Sequence, residues 1–346
     1  MDMITINPEV LKTGIIYLFE NVRVPHEDAK LVSDCLVQAE MMGVKSHGVQ
    51  RVKLYIDSIL QGGTTPKCEF TCEAEFPGGA LYNANGALGI VAAHKAMNTA
   101  IAKASSIGIG IAGVHNSNHC GTMRYYTDMA AAKGMIGFAT SNAACMMVPF
   151  GSREPFFGTN PISVSIPTKA NPLVLDMATS VVARGKIILA NKNGESIPTG
   201  WAVDKNGNPT TNAEEALNGY VLPFGGAKGS AIAMIADILC GVLLGGAYGP
   251  HVNYPYAHPE IPMDCGHLFI AIDVSKFQDY DRFLLAMEQY KNEVKELKPS
   301  EGFEEVYLPG ELAINAKKRN KDNLTISKTV FEEIELLAEK LNSKFI

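Results

Sequence analysis

Tryptophan is almost absent from this chain, with Trp201 alone, and no block of five or six like charges occurs in its 346 residues. A nucleic-acid binder normally carries a basic patch or stripe. Here 30 lysines and arginines face 36 acidic residues, for a formal net charge of −6, which argues against that class. The seven cysteines, at 35, 68, 72, 120, 145, 240 and 265, contain no C-x-x-C. No histidine cluster completes a zinc site beside Cys68 and Cys72, so no metal is expected and the thiols read as reduced, in a cytoplasmic protein. The opening residues Met1-Asp2-Met3-Ile4 lack a basic stretch and an apolar core, so no secretory signal is expected. A membrane span is also missing. Gly229–Gly246 is apolar except for Ser230 and Asp237, but it falls short of the roughly 20 residues a span needs and would hold Asp237 at mid-membrane. A buried helix or a subunit contact fits it better.

What is present is enough apolar material for a real core. Hydrophobic residues make up 47% and charged residues 19%, which excludes a disordered chain. The length suits one large or two ordinary domains. The first 62 residues predict three helices. Asn7 is placed as N-cap with Pro8 at the first helical position, and Leu11, Ile15, Leu18 and Phe19 recur at helical spacing. A second helix is expected over His26–Met42 and a third from about Gly48 to Leu60. Beyond them the pattern predicts a helix over Leu88–Ser105, a strand over Ile107–Val114 and a helix over Tyr125–Lys133. Strands are expected at Met135–Thr140, Ile162–Ile166, Leu173–Leu175 and His267–Val274, and C-terminal helices near Phe277–Leu297, Pro309–Asn320 and Thr329–Leu341. Helices and strands without strict alternation indicate an α+β fold. The simplest division puts a mixed-sheet domain at 76–254. Residues 1–75 and 255–346 then join as a second, largely helical unit.

Gly108-Ile109-Gly110-Ile111-Ala112-Gly113 spells G-x-G-x-x-G. That fingerprint requires a strand before it and a helix starting inside it. A helix precedes it here and the glycines alternate with isoleucine within the strand, so close packing is the better reading. Ser46-His47-Gly48-Val49-Gln50-Arg51 holds more chemistry. If the third helix begins at His47, then His47, Arg51 and Tyr55 share one face, and a guanidinium there can grip a carboxylate with two hydrogen bonds. The same spacing fits a solvated face with a capping histidine. Asn116-Ser117-Asn118-His119-Cys120-Gly121 closes an apolar strand, where binding loops sit, and His119 could transfer protons. An Asn/Ser-rich turn with an ordinary histidine fits it too. Gly158-Thr159-Asn160-Pro161 signals a turn. Gly225-Gly226-Ala227-Lys228-Gly229 sets a lysine among glycines that could hold a phosphate, without Walker spacing.

Taken in order, these segments resemble the malate/L-lactate dehydrogenase family, which also includes ureidoglycolate, L-sulfolactate and diketogulonate enzymes. The resemblance is carried by SHGVQR at 46–51, NSNHCG at 116–121, VPFG at 148–151, GTNP at 158–161, DMATSVVARGKI at 176–187, IPTGWAVDKNGNPTT at 197–211, LPFGGAKG at 222–229 and LPGE at 308–311. It implies a homodimeric oxidoreductase using NAD, with NADP also open, whose cofactor domain is non-Rossmann and inserted in a helical substrate and dimerisation domain. The implied acid/base residue is His119. Arg51 is the implied carboxylate clamp, with Ser46, His47, Tyr55, Thr159 and Asn160 around the substrate. His119, Asn142, Ala143, Asp176, Met177, Ala178, Lys228, Gly310 and Glu311 fall on positions implied to hold the dinucleotide. The substrate is expected to be a small 2-hydroxy or 2-oxo acid of the malate or lactate type. Ureidoglycolate oxidation and imine reduction of a cyclic 2-carboxylate are the alternatives, and a non-catalytic sensor on the same scaffold is the rival from another class. One departure stands out: Ser141-Asn142-Ala143-Ala144 replaces the frequent Thr-Asn-Ser-Ser, which removes a hydroxyl at 143.

Overall fold

The computed structural model describes residues 2–345. Met1 and Ile346, the outermost positions of the two segments assigned to the helical unit, lie outside the described residues. The chain opens with β1 (Met3–Ile6), α1 (Pro8–Asn21), α2 (His26–Met41) and α3 (Arg51–Gln61). Asn7 caps α1: its side-chain oxygen accepts from the Glu9 N–H at 2.9 Å, and Pro8 fills the first helical position. Such a cap stabilises a helix by about 1 kcal/mol. Leu11, Ile15, Leu18 and Phe19 of α1 and Val32, Cys35 and Leu36 of α2 are wholly buried together.

The third helix begins later than its spacing predicts. His47 ends a 3-10 turn, Lys45–His47, and Gly48 leaves the helical region at φ −89°, ψ −148° before α3 starts at Arg51. Glu40 explains the break. Its buried carboxylate accepts the Val49 N–H at 3.1 Å, and any Cβ on residue 48 would collide with it.

The chain continues through β2 (Thr71–Phe76), β3 (Gly79–Asn83), α4 (Gly89–Ile107), β4 (Ile109–Ser117), α5 (Met123–Ala131), β5 (Met135–Ser141), β6 (Ile162–Ile166) and β7 (Leu173–Met177). Next come α6 (Arg184–Asn193), β8 (Ala202–Val203), β9 (Pro209–Thr210), α7 (Ala213–Asn218), β10 (Tyr220–Val221) and α8 (Ala227–Asp237), which runs on as a π-helical segment to Val242. It closes with β11 (Cys265–Asp273), α9 (Tyr280–Lys295), α10 (Glu311–Arg319), β12 (Leu324–Ser327) and α11 (Lys328–Lys340).

Seven strands form one mixed sheet in the order β2-β3-β4-β11-β5-β6-β7, with β3 and β4 parallel and the other pairs antiparallel. The fold is α+β. β11 comes from the segment 255–346 grouped by sequence with the helical unit, yet it runs through the middle of the sheet. Its Leu268–Ile272 run is apolar because it packs on both faces. The G-x-G-x-x-G glycines serve packing. Gly108 ends α4 at φ +97°, a Cβ at Gly110 would strike the Ala100 carbonyl of α4, and one at Gly113 would strike Leu244 on the opposite face. No helix starts among them. The two chain ends meet where β1 pairs with β12, and Leu324, Ile326, Ile334 and Leu337 enter the same cluster as α1 and α2.

Candidate active site

Two segments far apart in sequence converge at the end of β4. Asn116 takes φ +50° there, and the chain leaves the sheet as Ser117-Asn118-His119. Asn118 is buried, and its amide nitrogen bonds the Gly86 and Ala87 carbonyls at 2.9 and 3.1 Å while its oxygen accepts the Met263 N–H at 2.9 Å. His119 therefore leaves from a pinned backbone. Its ring stacks on His47 with centroids 5.3 Å apart and planes 28° from parallel. The Tyr55 hydroxyl lies 2.5 Å from His119 Nδ1, and the Gly121 N–H points to the same nitrogen at 3.3 Å. Nε2 has no partner among the described residues.

Arg51, the first residue of α3, donates from Nε to the Ser46 carbonyl at 2.7 Å and from Nη1 to the Tyr256 hydroxyl at 2.5 Å. The Ser46 hydroxyl sits 2.9 Å from His47 Nδ1. Ser46, His47, Arg51, Tyr55 and His119 thus form one polar cluster, although His47 is not on the helix that carries Arg51 and Tyr55. Burial pushes the His47 imidazole down to about 3, helped by the neighbouring guanidinium. It holds His119 well below the ordinary imidazole range in the same way, with Arg51 and His47 adding to the effect. Both rings are neutral at physiological pH. Burial also keeps the Tyr55 phenol protonated.

The GTNP turn is itself tied down by hydrogen bonds. Asn160 is fully buried, and its side chain accepts the Ala143 N–H at 3.1 Å and donates to the Ala233 carbonyl at 2.9 Å. The Thr159 carbonyl receives both the backbone and side-chain donors of Thr179, each at 2.9 Å. Asn142 is likewise committed to backbone, accepting from Gly266 N at 2.8 Å and donating to the Ala247 carbonyl at 2.7 Å. These amides shape the loops beside Ala143 and leave the small Ala143 side chain at the position where a hydroxyl is frequent.

The positions implied to hold a dinucleotide lie on other elements. Asp176 and Met177 end the edge strand β7, and Ala178 follows it. Asp176 keeps exposed surface on this edge, but the protein atoms crowded around its carboxyl raise it to about 7, against the pull of the Arg124 guanidinium and backbone N–H. Gly310 (φ +81°) starts α10, where a Cβ would crowd Val174, and its carbonyl accepts from Arg124 Nη1 at 3.3 Å. Glu311 receives Leu308 N at 2.9 Å and Lys295 Nζ at 2.7 Å. Lys228 is exposed at the first turn of α8, behind Gly225 and Gly226, both at positive φ. Arg124 is buried with Nη2 unpartnered among the described residues. An orphaned guanidinium nitrogen, an exposed ammonium at a helix start and a carboxylate on a sheet edge suit the phosphates and ribose of a dinucleotide.

Three residues bonded into or beside these clusters escaped the sequence reading. Tyr256 sits in the aromatic Asn253-Tyr254-Pro255-Tyr256 loop, a cluster that could have flagged it. Arg124 and His267 carried no signal, because each lies inside an ordinary helix or strand pattern.

Comparison with known proteins places this architecture in a class. The chain belongs to the malate/L-lactate dehydrogenase family, whose sequence model matches residues 6–335, and it is an oxidoreductase of the hydroxy-acid dehydrogenase type that uses a nicotinamide cofactor. Malate/(S)-sulfolactate dehydrogenase of Methanothermus fervidus is 40% identical over 97% of this chain and 98% of its own. Ureidoglycolate dehydrogenase (NAD(+)) of Escherichia coli K12 is 38% identical over 82% of this chain and 81% of its own. The crystallised sulfolactate dehydrogenase of Methanocaldococcus jannaschii superposes with a TM-score of 0.92 at 36% identity, covering 98% of both chains.

Proposed function

We propose that this chain interconverts a small 2-hydroxy acid and its 2-oxo acid, of the malate or lactate type, with NAD as the redox partner. The observation that carries the reading is the meeting of Arg51, His47, Tyr55 and His119 around one cleft. Arg51 leaves Nη2 without a partner among the described residues, while Tyr256 and the Ser46 carbonyl hold the rest of the guanidinium in place. That nitrogen receives the substrate carboxylate, and His47 and Ser46 close the pocket. His119 takes the hydroxyl proton at Nε2 as the alcohol is oxidised and returns it in the reverse direction. This requires the tautomer with its proton on Nδ1: that N–H donates to the Tyr55 hydroxyl in both protonation states, and the Gly121 N–H contact to the same nitrogen is given up. NAD, when bound, supplies the acceptor for the hydride leaving the carbinol carbon. Asn142, Ala143, Asp176 to Ala178, Lys228, Gly310 and Glu311 hold it, with Thr159 and Asn160 supporting the substrate side. Asp176, in its ionised form, favours a free ribose hydroxyl over a 2′-phosphate, which is the basis for NAD over NADP.

The chain acts as a homodimer in the cytoplasm, the second copy covering the apolar outer face of α8. Seven free cysteines fit a reducing compartment. Among the described residues, no helix is long and apolar enough to cross a membrane.

The test is a panel of oxaloacetate, pyruvate, sulfopyruvate and oxalurate with NADH and with NADPH, followed by absorbance. Faster NADH oxidation with oxaloacetate or pyruvate than with oxalurate supports the reading. Fastest turnover of oxalurate moves it to ureidoglycolate chemistry, and no oxidation of either cofactor sinks it.

A further inference from the structure

β11 is apolar from Leu268 to Ile272, yet the residue immediately before that run is His267, with no exposed surface at all. An imidazole in the middle of a sheet needs polar partners, and this one has them on both sides. Its Nδ1 lies 2.8 Å from Ser141 Oγ on β5 and 3.6 Å from Cys120 Sγ. Its Nε2 lies 3.1 Å from Ser117 Oγ and 3.2 Å from the Asn118 carbonyl. Ser117, Asn118 and Cys120 all flank His119. The strand register also shifts between Cys265 and His267, so that β4 carries one extra residue there: His115 and Asn116, the latter at positive φ, face the single Gly266 next to this histidine. Such irregularities re-aim a chain next to reactive groups. Asn118 is already tied through its side chain to the Gly86 and Ala87 carbonyls. His267 supplies the second tie, to the carbonyl of the peptide bond that joins Asn118 to His119.

We propose that His267 is a positioning residue for the reaction: it touches neither substrate nor dinucleotide, and it sets the orientation of His119 by holding the Asn118 carbonyl against Ser141 on the neighbouring strand. A carbonyl accepts only, so the bond to Asn118 requires the proton on Nε2 and leaves Nδ1 to accept from the Ser141 hydroxyl. The clamp works with a neutral ring, and His267 is buried in that form. The ionisable groups acting on His119 are Arg51 and His47 on the cleft side and His267 behind it. His267 is thus the member of this set that can change without altering the substrate pocket.

This inference rests on His119 being the acid/base residue, so the two are tested apart. His267→Phe keeps the ring volume and removes both hydrogen bonds, while His267→Gln restores a donor and an acceptor. The readouts are kcat, KM for each substrate, NADH affinity by fluorescence, and the titration of His119 followed by imidazole ¹⁵N NMR, which needs no turnover. The expected result for His267→Phe is a ten- to hundredfold loss of kcat at unchanged NADH affinity. The His119 titration should move up toward the ordinary imidazole range, and the Gln variant should recover at least part of both. Unchanged kcat and an unchanged His119 titration in the Phe variant overturn the proposal, as does a Gln variant no better than Phe. If His267→Phe does not fold, Ser141→Ala takes its place and is judged by the same two readouts. A His119→Ala variant with full activity would instead overturn the acid/base reading.

Discussion

The cleft around His119 and the outer face of α8 are built from opposite materials. In the cleft nearly every polar atom is spoken for: Arg51 is held by Ser46 and Tyr256, His119 by Tyr55 and Gly121, and Asn118 by three backbone groups. What stays open among the described residues is a guanidinium edge and the Nε2 atoms of His47 and His119. Along α8 and its π-helical extension the reverse holds. Ile235, Val242 and Leu243 are 57, 58 and 59% exposed, and Ile232, Met234 and Ile238 flank them. An open apolar groove of about 310 Å³ lies between this helix and Phe138, Thr140 and Ile162 of the sheet. Asp237, the one acid in the run, turns inward and accepts the Gly249 N–H at 3.0 Å. A surface that discards its charge while keeping large side chains exposed is suited to another protein surface. A site that keeps a few polar atoms free amid satisfied neighbours is suited to a small polar ligand. The difference separates chemistry from assembly, and each can be broken without the other.

The largest effect is expected from His119→Ala. Removing a placed acid/base group lowers kcat by about 10²–10⁴-fold, while NADH binding and the association state stay as in the parent protein; stopped-flow turnover and analytical ultracentrifugation check both. Arg51→Ala should lower kcat/KM for 2-oxo acids by roughly 10- to 100-fold, the weight of about 1.5–3 kcal/mol for hydrogen bonds to a charged group. An equal loss for an uncharged ketone would break the clamp assignment. On the other surface, Ile235→Glu places a charge where a second copy should pack. It forfeits about 1–2 kcal/mol of apolar burial as well, so the dimer dissociation constant should rise by at least about tenfold. A parent protein that sediments as a monomer would remove this half of the contrast.

Much of this was legible in the sequence, and the failures have physical causes. Helices α1, α2 and α4 show their faces because one side of each is buried and the other wet, so apolar spacing reports them. β2 is exposed along its whole length and β8, β9 and β10 are two residues each, so no period survives to be read. The break between His47 and α3 is a tertiary effect. It comes from the Glu40 carboxylate, nine positions before Val49, and no local propensity encodes it. The residues of the cleft were found because SHGVQR and NSNHCG concentrate reactive side chains in short stretches. Their meeting came from the family resemblance and not from spacing, since stacking of His47 on His119 depends on where β4 ends relative to α3. His267 was invisible for the complementary reason: a single polar residue at a strand start looks like a boundary, and only the sheet order shows it between β4 and β5.

The smallest effect is on stability, and it sharpens the contrast because the apolar ridge does not titrate. His267 is driven down to about 4 by burial, and His47 to about 3, while an imidazole in the unfolded chain titrates near 6.5. Above that value both states carry neutral rings and the shift has no consequence. As pH falls below about 6.5 the unfolded chain takes up protons that the native rings refuse, so stability declines, by about 1.4 kcal/mol per pH unit for each such ring. The loss continues down to about 4 for His267 and about 3 for His47, where the native state begins to bind the same protons. Glu40 and Asp237, raised by burial to about 7 and about 6, act in the opposite sense over the same range, so the ring's contribution is read as a difference between two proteins. His267→Phe is the less stable of the two at neutral pH, and the parent's advantage in urea midpoint should shrink as pH falls from 7.5 to 5. Ile235→Glu should show the parent slope once both are measured as monomers, and parallel slopes for the parent and His267→Phe would mean that the buried ring is not the source.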